Sequence, residues 1–454
     1  MKLHTHYLGA VYQFSDLKDL FAKANEEKSG DRLAGLAAET VQERIAAKEV
    51  LSELTLADIR ENPMISPEED EVSQIIESQV NEPIYQAMKN WSIAELREYI
   101  LSDETTGEDL KRISRGLNSE IIAAVAKLMS NLDLIHAANK MEILTKCNIT
   151  IGQKGVLASR LQPNHPTDNV EGMIASLKEG LSYGIGDALI GINPVDDSVE
   201  SVKRLLHATK NFMNDWEIPS QNCVLAHVTT QMKAIEQGAP ADMIFQSIAG
   251  TEAANRSFGI SAALLEEANQ LAKSHGTGTG PQRLYFETGQ GSELSAEAHF
   301  GMDQLTLESR NYGFARHYDP YIVNTVVGFI GPEYLYNNKQ VIRAGLEDHF
   351  MAKMHGIPMG VDICYTNHIK ADQNDIEDLG VLLTAAGVNF IIATPMGDDC
   401  MLNYQSMSYH DVATLRQTMG KQPSPLFAEW LEKMGIFEQG KLSKYAGDPS
   451  IFTR

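Results

Sequence analysis

From about residue 149 onward, the chain alternates short apolar runs with longer amphipathic segments, eight times over. The runs fall at 159–162, 188–193, 223–227, 243–248, 284–288, 323–329, 359–365 and 389–394. Most gaps leave room for one helix, and some hold extra helical or loop material. Strands that are apolar along nearly their whole length belong to a parallel sheet covered on both faces, and eight strand–helix repeats satisfy a (β/α)8 barrel. An open doubly wound sheet, the competing arrangement, usually has fewer strands. The fold class expected is therefore α/β: a (β/α)8 TIM barrel at 149–404, preceded by a helical N-terminal region at 1–148 and followed by a short helical C-terminal cap at 405–454.

Apolar residues spaced three and four apart predict helices over 20–27, 41–54 and 92–101, with Ser119 as N-cap of a helix over 120–128. The acidic stretch Glu68-Glu69-Asp70-Glu71 reads as a solvated helix start. Near the end a helix is expected over 426–434, after Pro423 and Pro425, and the stretch from Gly440 reads as a polar finish.

The 454 residues carry 38 Lys+Arg against 61 Asp+Glu, a net charge of −23, so no basic face is available to track a phosphate backbone and nucleic acid is excluded as a primary ligand. With 43% hydrophobic residues the chain can build a large core. No apolar run is long enough to span a membrane, and Met1-Lys2-Leu3-His4-Thr5-His6 opens no secretory signal. Cys147, Cys223, Cys364 and Cys400 are scattered without a CxxC pair, which suits a reducing cytoplasm.

Barrel chemistry gathers at the C-terminal ends of the strands. Arg160, Leu161 and Gln162 lie on or just after the first run, and Asn193, followed by Pro194, ends the second. His227 ends the third run, Gln246 lies in the fourth, Glu287 is near the end of the fifth, Phe329 ends the sixth, and Asp362 lies in the seventh. Any one of these has an ordinary explanation as a satisfied rim residue. Several on one rim are a liability without a role, since an unsatisfied buried polar group costs about 1–3 kcal/mol. Glu287, Asp362 and the Gln162 amide oxygen make an acceptor-rich end for an ammonium, while Arg160 and Asn193 offer donors to an oxygen. The set reads as a cage for a small amino alcohol, with Glu287, Arg160 and Asp362 as catalytic candidates.

Other motifs carry little. Gly276-Thr277-Gly278-Thr279-Gly280 precedes a strand instead of following one, which is the wrong place for a pyrophosphate turn. There is no GxxxxGK[ST] loop and no HExxH helix. His4 and His6 lie ahead of the helical region as surface residues, and His227 has no histidine partner at fixed spacing, so no metal site is expected.

Longer blocks are more specific. Ser159-Arg160-Leu161-Gln162-Pro163-Asn164, Gly191-Ile192-Asn193-Pro194-Val195, Leu284-Tyr285-Phe286-Glu287-Thr288-Gly289-Gln290-Gly291-Ser292 and Ala344-Gly345-Leu346-Glu347-Asp348-His349-Phe350-Met351 resemble the large subunit of ethanolamine ammonia-lyases. The likeness runs from Trp91-Ser92-Ile93 to Ala446-Gly447-Asp448-Pro449-Ser450. It implies an adenosylcobalamin-dependent radical enzyme that converts ethanolamine to acetaldehyde and ammonia, in which the cofactor carries the radical chemistry and the protein binds, orients and shields.

By the same resemblance, Glu287, Gln162 and Asp362 hold the ammonium, and Arg160, Asn193 and Glu287 the hydroxyl. Phe329 forms an apolar wall, while Pro194, Gln246, Ser295 and Met401 line the cobalamin. None of the 13 histidines sits in DxHxxG, so cobalamin is expected to keep its own base on cobalt. A small subunit is the implied partner, with large subunits forming a homo-oligomer inside a cytoplasmic hetero-oligomer, enclosed in a bacterial microcompartment. Two other readings compete: a metal-dependent barrel hydrolase or aldolase using Glu287, Asp362 and His227, and a catalytically silent scaffold.

Overall fold

The computed structural model of the protein describes residues 1–400 and 403–453. Its centre is a barrel of eight parallel strands: β1 (Ala158–Leu161), β2 (Leu189–Ile192), β3 (Asn222–Val224), β4 (Ile244–Ser247), β5 (Leu284–Thr288), β6 (Ile322–Gly328), β7 (Met359–Thr366) and β8 (Phe390–Ala393). All but three of their residues, Ser247, Glu287 and Thr366, are buried, which is why each reads as an apolar run. Observed and expected runs agree within one or two residues, save at the third. There the strand stops at Val224, and His227 instead caps the following helix, its side chain accepting from the Thr229 N–H.

Backbone ladders join the strands in the order β3-β2-β1-β8-β7-β6-β5-β4. Among the described residues no ladder joins β3 to β4, and side chains close that seam instead. Gln231 donates through Nε2 to the carbonyls of Ala226 (2.6 Å) and Phe245 (2.7 Å) and accepts from the Phe245 N–H at 2.9 Å. At the other end of the seam Asn222 and Asp242 exchange reciprocal bonds, each side chain accepting the other's N–H at 3.0 Å and 2.9 Å. These bonds satisfy backbone groups that a ladder would otherwise pair.

A helix follows each strand: α1 (Val170–Ser182), α2 (Val199–Asp215), α3 (Val228–Glu236), α4 (Ala262–His275), α5 (Gln304–Arg316), α6 (Asn338–Met354), α7 (Gln373–Ala385) and α8 (Tyr409–Met419). The first thirteen residues form a small hairpin, His4–Tyr7 against Ala10–Gln13, with His4 and His6 exposed. Helices then run from Leu17 to Asn139. Those over Ser119–Lys127 and Asn131–Asn139 dock on α5 and α6, which are consequently buried on every side.

The helices expected at 41–54 and 92–101 are present as Val41–Glu53 and Ile93–Leu101, the latter capped by Ser92 with Glu95 completing a capping box. Two local readings are corrected. Asn118, not Ser119, caps the next helix, because Ser119 already sits in its first turn. The acidic stretch is not wholly solvated: Asp70 is buried, and its carboxylate meets Arg310 at 3.0 Å. The C-terminal helix spans Pro425–Met434 as expected. The chain beyond it does not finish polar, since Phe452 is buried against Phe212, Trp216 and Trp430.

Candidate active site

The pleat of β1 aims alternate residues to opposite faces. Arg160 and Gln162 turn into the barrel, whereas the Leu161 side chain lies outside, close to Gly180 of α1, so only its backbone borders the mouth. Arg160 is almost fully buried. Its Nη1 donates to the Tyr285 hydroxyl and its Nη2 to Asn193 Oδ1, both at 2.8 Å, while Nε finds no partner among the described residues. Gly191 leaves the guanidinium its room, because a Cβ there would stand 2.6 Å from Arg160 Nε.

Tyr285 donates onward to Asn324 Oδ1, and Asn324 Nδ2 reaches Glu287 Oε2 at 3.4 Å. That long bond is the only one the Glu287 carboxylate accepts among the described residues. Burial pushes the Glu287 carboxyl up to about 7, with Arg160 opposing and Asp362 adding to the shift. Asp362, on β7, is pushed up to about 6 by burial, although hydroxyl bonds from Ser406 (2.8 Å) and Tyr404 (2.9 Å) and the charge of Arg160 favour its anion. Burial disfavours the charge on Arg160, but Tyr285, Glu287, Tyr404 and Asp362 together hold its pKa above the ordinary value.

Gln162 donates through Nε2 to Asp399 and, at 3.0 Å, to Tyr404, which leaves its buried Oε1 without a partner among the described residues. Asn164 links the two ends of the mouth, donating to Asp399 Oδ2 at 2.7 Å and accepting from the Asn193 N–H at 2.8 Å. The cage therefore presents an orphaned donor at Arg160 and an orphaned acceptor at Gln162. Buried groups of this kind are expected to find a partner. Glu287 adds a carboxylate barely engaged by the protein.

The structure thus brings Arg160, Gln162, Asn193, Glu287 and Asp362 together. Phe329 stands exposed just past β6, its ring edge-on to Tyr404 at 5.4 Å. Pro194 is half-buried at the rim, and Ser295 is exposed on a short helix after β5. Gln246 is turned into the β3–β4 seam, where its Oε1 accepts from the Val228 N–H at 2.9 Å. Met401 lies outside the described residues. His227 stays out of the cage: Nδ1 meets Thr229 at 2.8 Å and Nε2 the Phe258 carbonyl at 3.1 Å.

Sequence reasoning missed Asn164, Tyr285, Asn324, Asp399, Tyr404 and Ser406. Tyr285 and Asn324 could have been found by period, since Tyr285 lies two residues before Glu287 on one strand and Asn324 is the ladder partner of Glu287 on the next. Asp399 and Tyr404 sit on a hairpin that returns to pair with β7, and no local pattern announces it.

Fold and mouth together define a (β/α)8-barrel enzyme with a charged cage at the C-terminal ends of its strands. The profile of the ethanolamine ammonia lyase large subunit (EutB) family matches residues 12–445. The ethanolamine ammonia-lyase large subunits of Escherichia coli (strain K12) and Salmonella typhimurium (strain LT2) are each 57% identical to this chain over 452 residues, covering 100% of both sequences. The chain belongs to the ethanolamine ammonia-lyase large-subunit family.

Proposed function

We propose that the cage holds ethanolamine, with Glu287, Asp362 and Gln162 Oε1 around the ammonium and Arg160 and Asn193 at the hydroxyl. The observation that carries this reading is the pairing of groups unsatisfied among the described residues: a free donor on Arg160, a free acceptor on Gln162 and a lightly bonded carboxylate on Glu287. Membership of the family makes the chain the catalytic subunit of a carbon–nitrogen lyase, which deaminates ethanolamine to acetaldehyde and ammonia with adenosylcobalamin and a small-subunit partner.

The residues around the mouth fit such a cofactor. Val195, Phe329 and Met396 stand exposed on the loops after β2, β6 and β8, an apolar rim suited to a broad macrocycle. Pro194, Gln246 and Ser295, together with Met401, would hold it. When bound, adenosylcobalamin supplies the radical chemistry. The chain's own work is to fix the substrate by its two polar ends and to exclude water. The ammonium also lowers the cost of ionising Glu287 and Asp362, because a cation beside two carboxylates offsets their burial. We propose further that several large subunits assemble within a cytoplasmic hetero-oligomer enclosed in a microcompartment, a reading supported by likeness to the family alone. No helix among the described residues is long and apolar enough to cross a membrane.

The test is Glu287→Gln in the complex of large and small subunits loaded with adenosylcobalamin. It replaces a charge-assisted acceptor with an amide of the same shape, so kcat/KM should fall by roughly tenfold to a hundredfold or more. Wild-type kcat/KM in that variant would remove Glu287 from the cage and bring the scaffold reading forward.

A further inference from the structure

Behind the cage, on the outer face of the same two strands, lies a second polar cluster that the reaction as described does not use. Glu287 pairs with Asn324 across the β5–β6 ladder, and the next ladder pair is Thr288 with Thr325. Since successive strand residues face opposite ways, the first pair looks into the barrel and the second out toward the helices. There Thr288 donates its hydroxyl to Glu308 of α5, while Thr325 donates to Asp348 of α6 at 2.9 Å. Gln290, three residues beyond Glu287, donates to Asp348 at 2.6 Å.

Both carboxylates are wholly buried. Tyr312 and Asn311 complete the bonds to Glu308 at 2.7 and 2.8 Å, so every donor to the two acids is neutral among the described residues. The charged groups facing them are themselves acids: Glu293, on the short helix after β5, faces Glu308, and Glu347 lies beside Asp348. Glu347 is already matched by Lys28 and Arg343, at 2.8 and 2.5 Å. Two unpaired buried anions at close quarters are costly, and the pair relieves the cost by retaining a proton. Burial and the neighbouring acids push Glu308 up to about 7 and Asp348 well above the ordinary carboxylate range.

We propose that Glu308 and Asp348 are positioning residues for Glu287: by gripping Thr288 and Thr325 from outside, they fix the pleat that aims Glu287 and Asn324 into the barrel. The proposal rests on the reading of Glu287 as a ligand of the substrate ammonium. A side chain on a strand can be oriented precisely only if its neighbours cannot shear, and the hydroxyl–carboxyl bonds tie β5 and β6 to two helices buried on all sides.

The experiment uses the complex of large and small subunits and reads the dissociation constant for ethanolamine by calorimetry. Thr288→Val keeps shape and removes the hydroxyl, and should weaken binding by roughly tenfold. Thr325→Val should act in the same direction, and Thr288→Ser, which restores the hydroxyl, should bind as the wild type does. If Thr288 acts through Glu287, adding Thr288→Val to Glu287→Gln should change binding little further, because two changes along one path are not additive. An equal loss in both backgrounds, or no recovery in Thr288→Ser, overturns the proposal. So does wild-type binding in Thr288→Val when Glu287→Gln alone binds poorly, and in that case the reading of Glu287 stands. Wild-type binding by Glu287→Gln would instead fell the underlying reading.

Discussion

The two sides of the barrel are held shut by different means. On the β5–β7 side the strands are long, seven residues in β6 and eight in β7, and ladders join them, with one register shift between Val326 and Gly328. Helices α5 and α6 are buried there beneath the N-terminal region, and ion pairs cross the contact: Lys28 with Glu347 at 2.8 Å and Lys127 with Asp303 at 2.6 Å, all four side chains fully buried. On the opposite side β3 has three residues and β4 four, and Gln231 and the Asn222–Asp242 pair take the place of a ladder. The difference follows the cage. Glu287, Asn324 and Asp362 all stand on the first wall, so the charges that must be aimed are carried by strands tied down on both faces. The other wall carries none of the cage carboxylates and is stitched by two amides and the Asp242 carboxylate.

The contrast can be broken hardest at its ionic layer. Lys127→Met leaves Asp303 as a buried, uncompensated anion and should destabilise the protein by about 3–5 kcal/mol, read from denaturant unfolding. A loss under about 1 kcal/mol would mean that water reaches the pair and that the covered side is not sealed. At the seam the expected effect is smaller. Gln231→Leu leaves the Ala226 and Phe245 backbone groups unpaired, costing about 1–3 kcal/mol, and hydrogen exchange should quicken at β3 and β4 ahead of β6. Equal protection of both walls in that variant would show that Gln231 does not close the seam.

The smallest effect is expected from pH. Glu287 and Glu308, each at about 7, and Asp362, at about 6, hold protons more tightly folded than unfolded. The stability they contribute is therefore full in acid, below the unfolded carboxylate range, and is lost as pH rises through 6 to 7. Glu347 has the opposite sign: burial pulls it up, but Lys28 and Arg343 hold it at about 2, so its contribution fades only as pH falls toward that value. In the substrate-free protein, opening of β5–β7 should become easier between about pH 5 and about pH 8 once intrinsic exchange rates are removed, with the seam unchanged. A seam that tracks the same titration would merge the two walls into one cooperative unit.

Much of the barrel was legible because strands covered on both faces leave nearly unbroken apolar runs, and a polar residue inside one is conspicuous. That is how Arg160, Glu287 and Asp362 could be singled out before any geometry was known. The partners that orient them were not legible. Asp399 and Tyr404 lie beyond the last strand, in a loop whose return to β7 depends on tertiary structure. The burial of charges on the covered side was not legible for a related reason. In α6, Arg343, Glu347, Asp348 and Lys353 look like a solvated face, yet all are buried. A charge reads as exposed unless its partner is nearby in sequence, and the partner of Glu347 is Lys28. Asp70 was misread on the same grounds, with its partner at Arg310.

The docking of the N-terminal region also has a consequence for how the chain is made. Ser29 reaches Gln340 through its backbone N–H and its hydroxyl, both at 3.0 Å, across 311 residues of sequence. At a synthesis rate of about 5–20 residues per second, the earlier segment waits roughly 15–60 s for the later one to leave the ribosome. Through that interval the helices that will cover α5 and α6 hold apolar surface and unmatched lysines with nothing to cover. Contacts of such range also slow the final search, because loop closure must be paid for before any of them forms. Nascent chains are thus most exposed to aggregation and proteolysis in the very segment that later seals the catalytic wall.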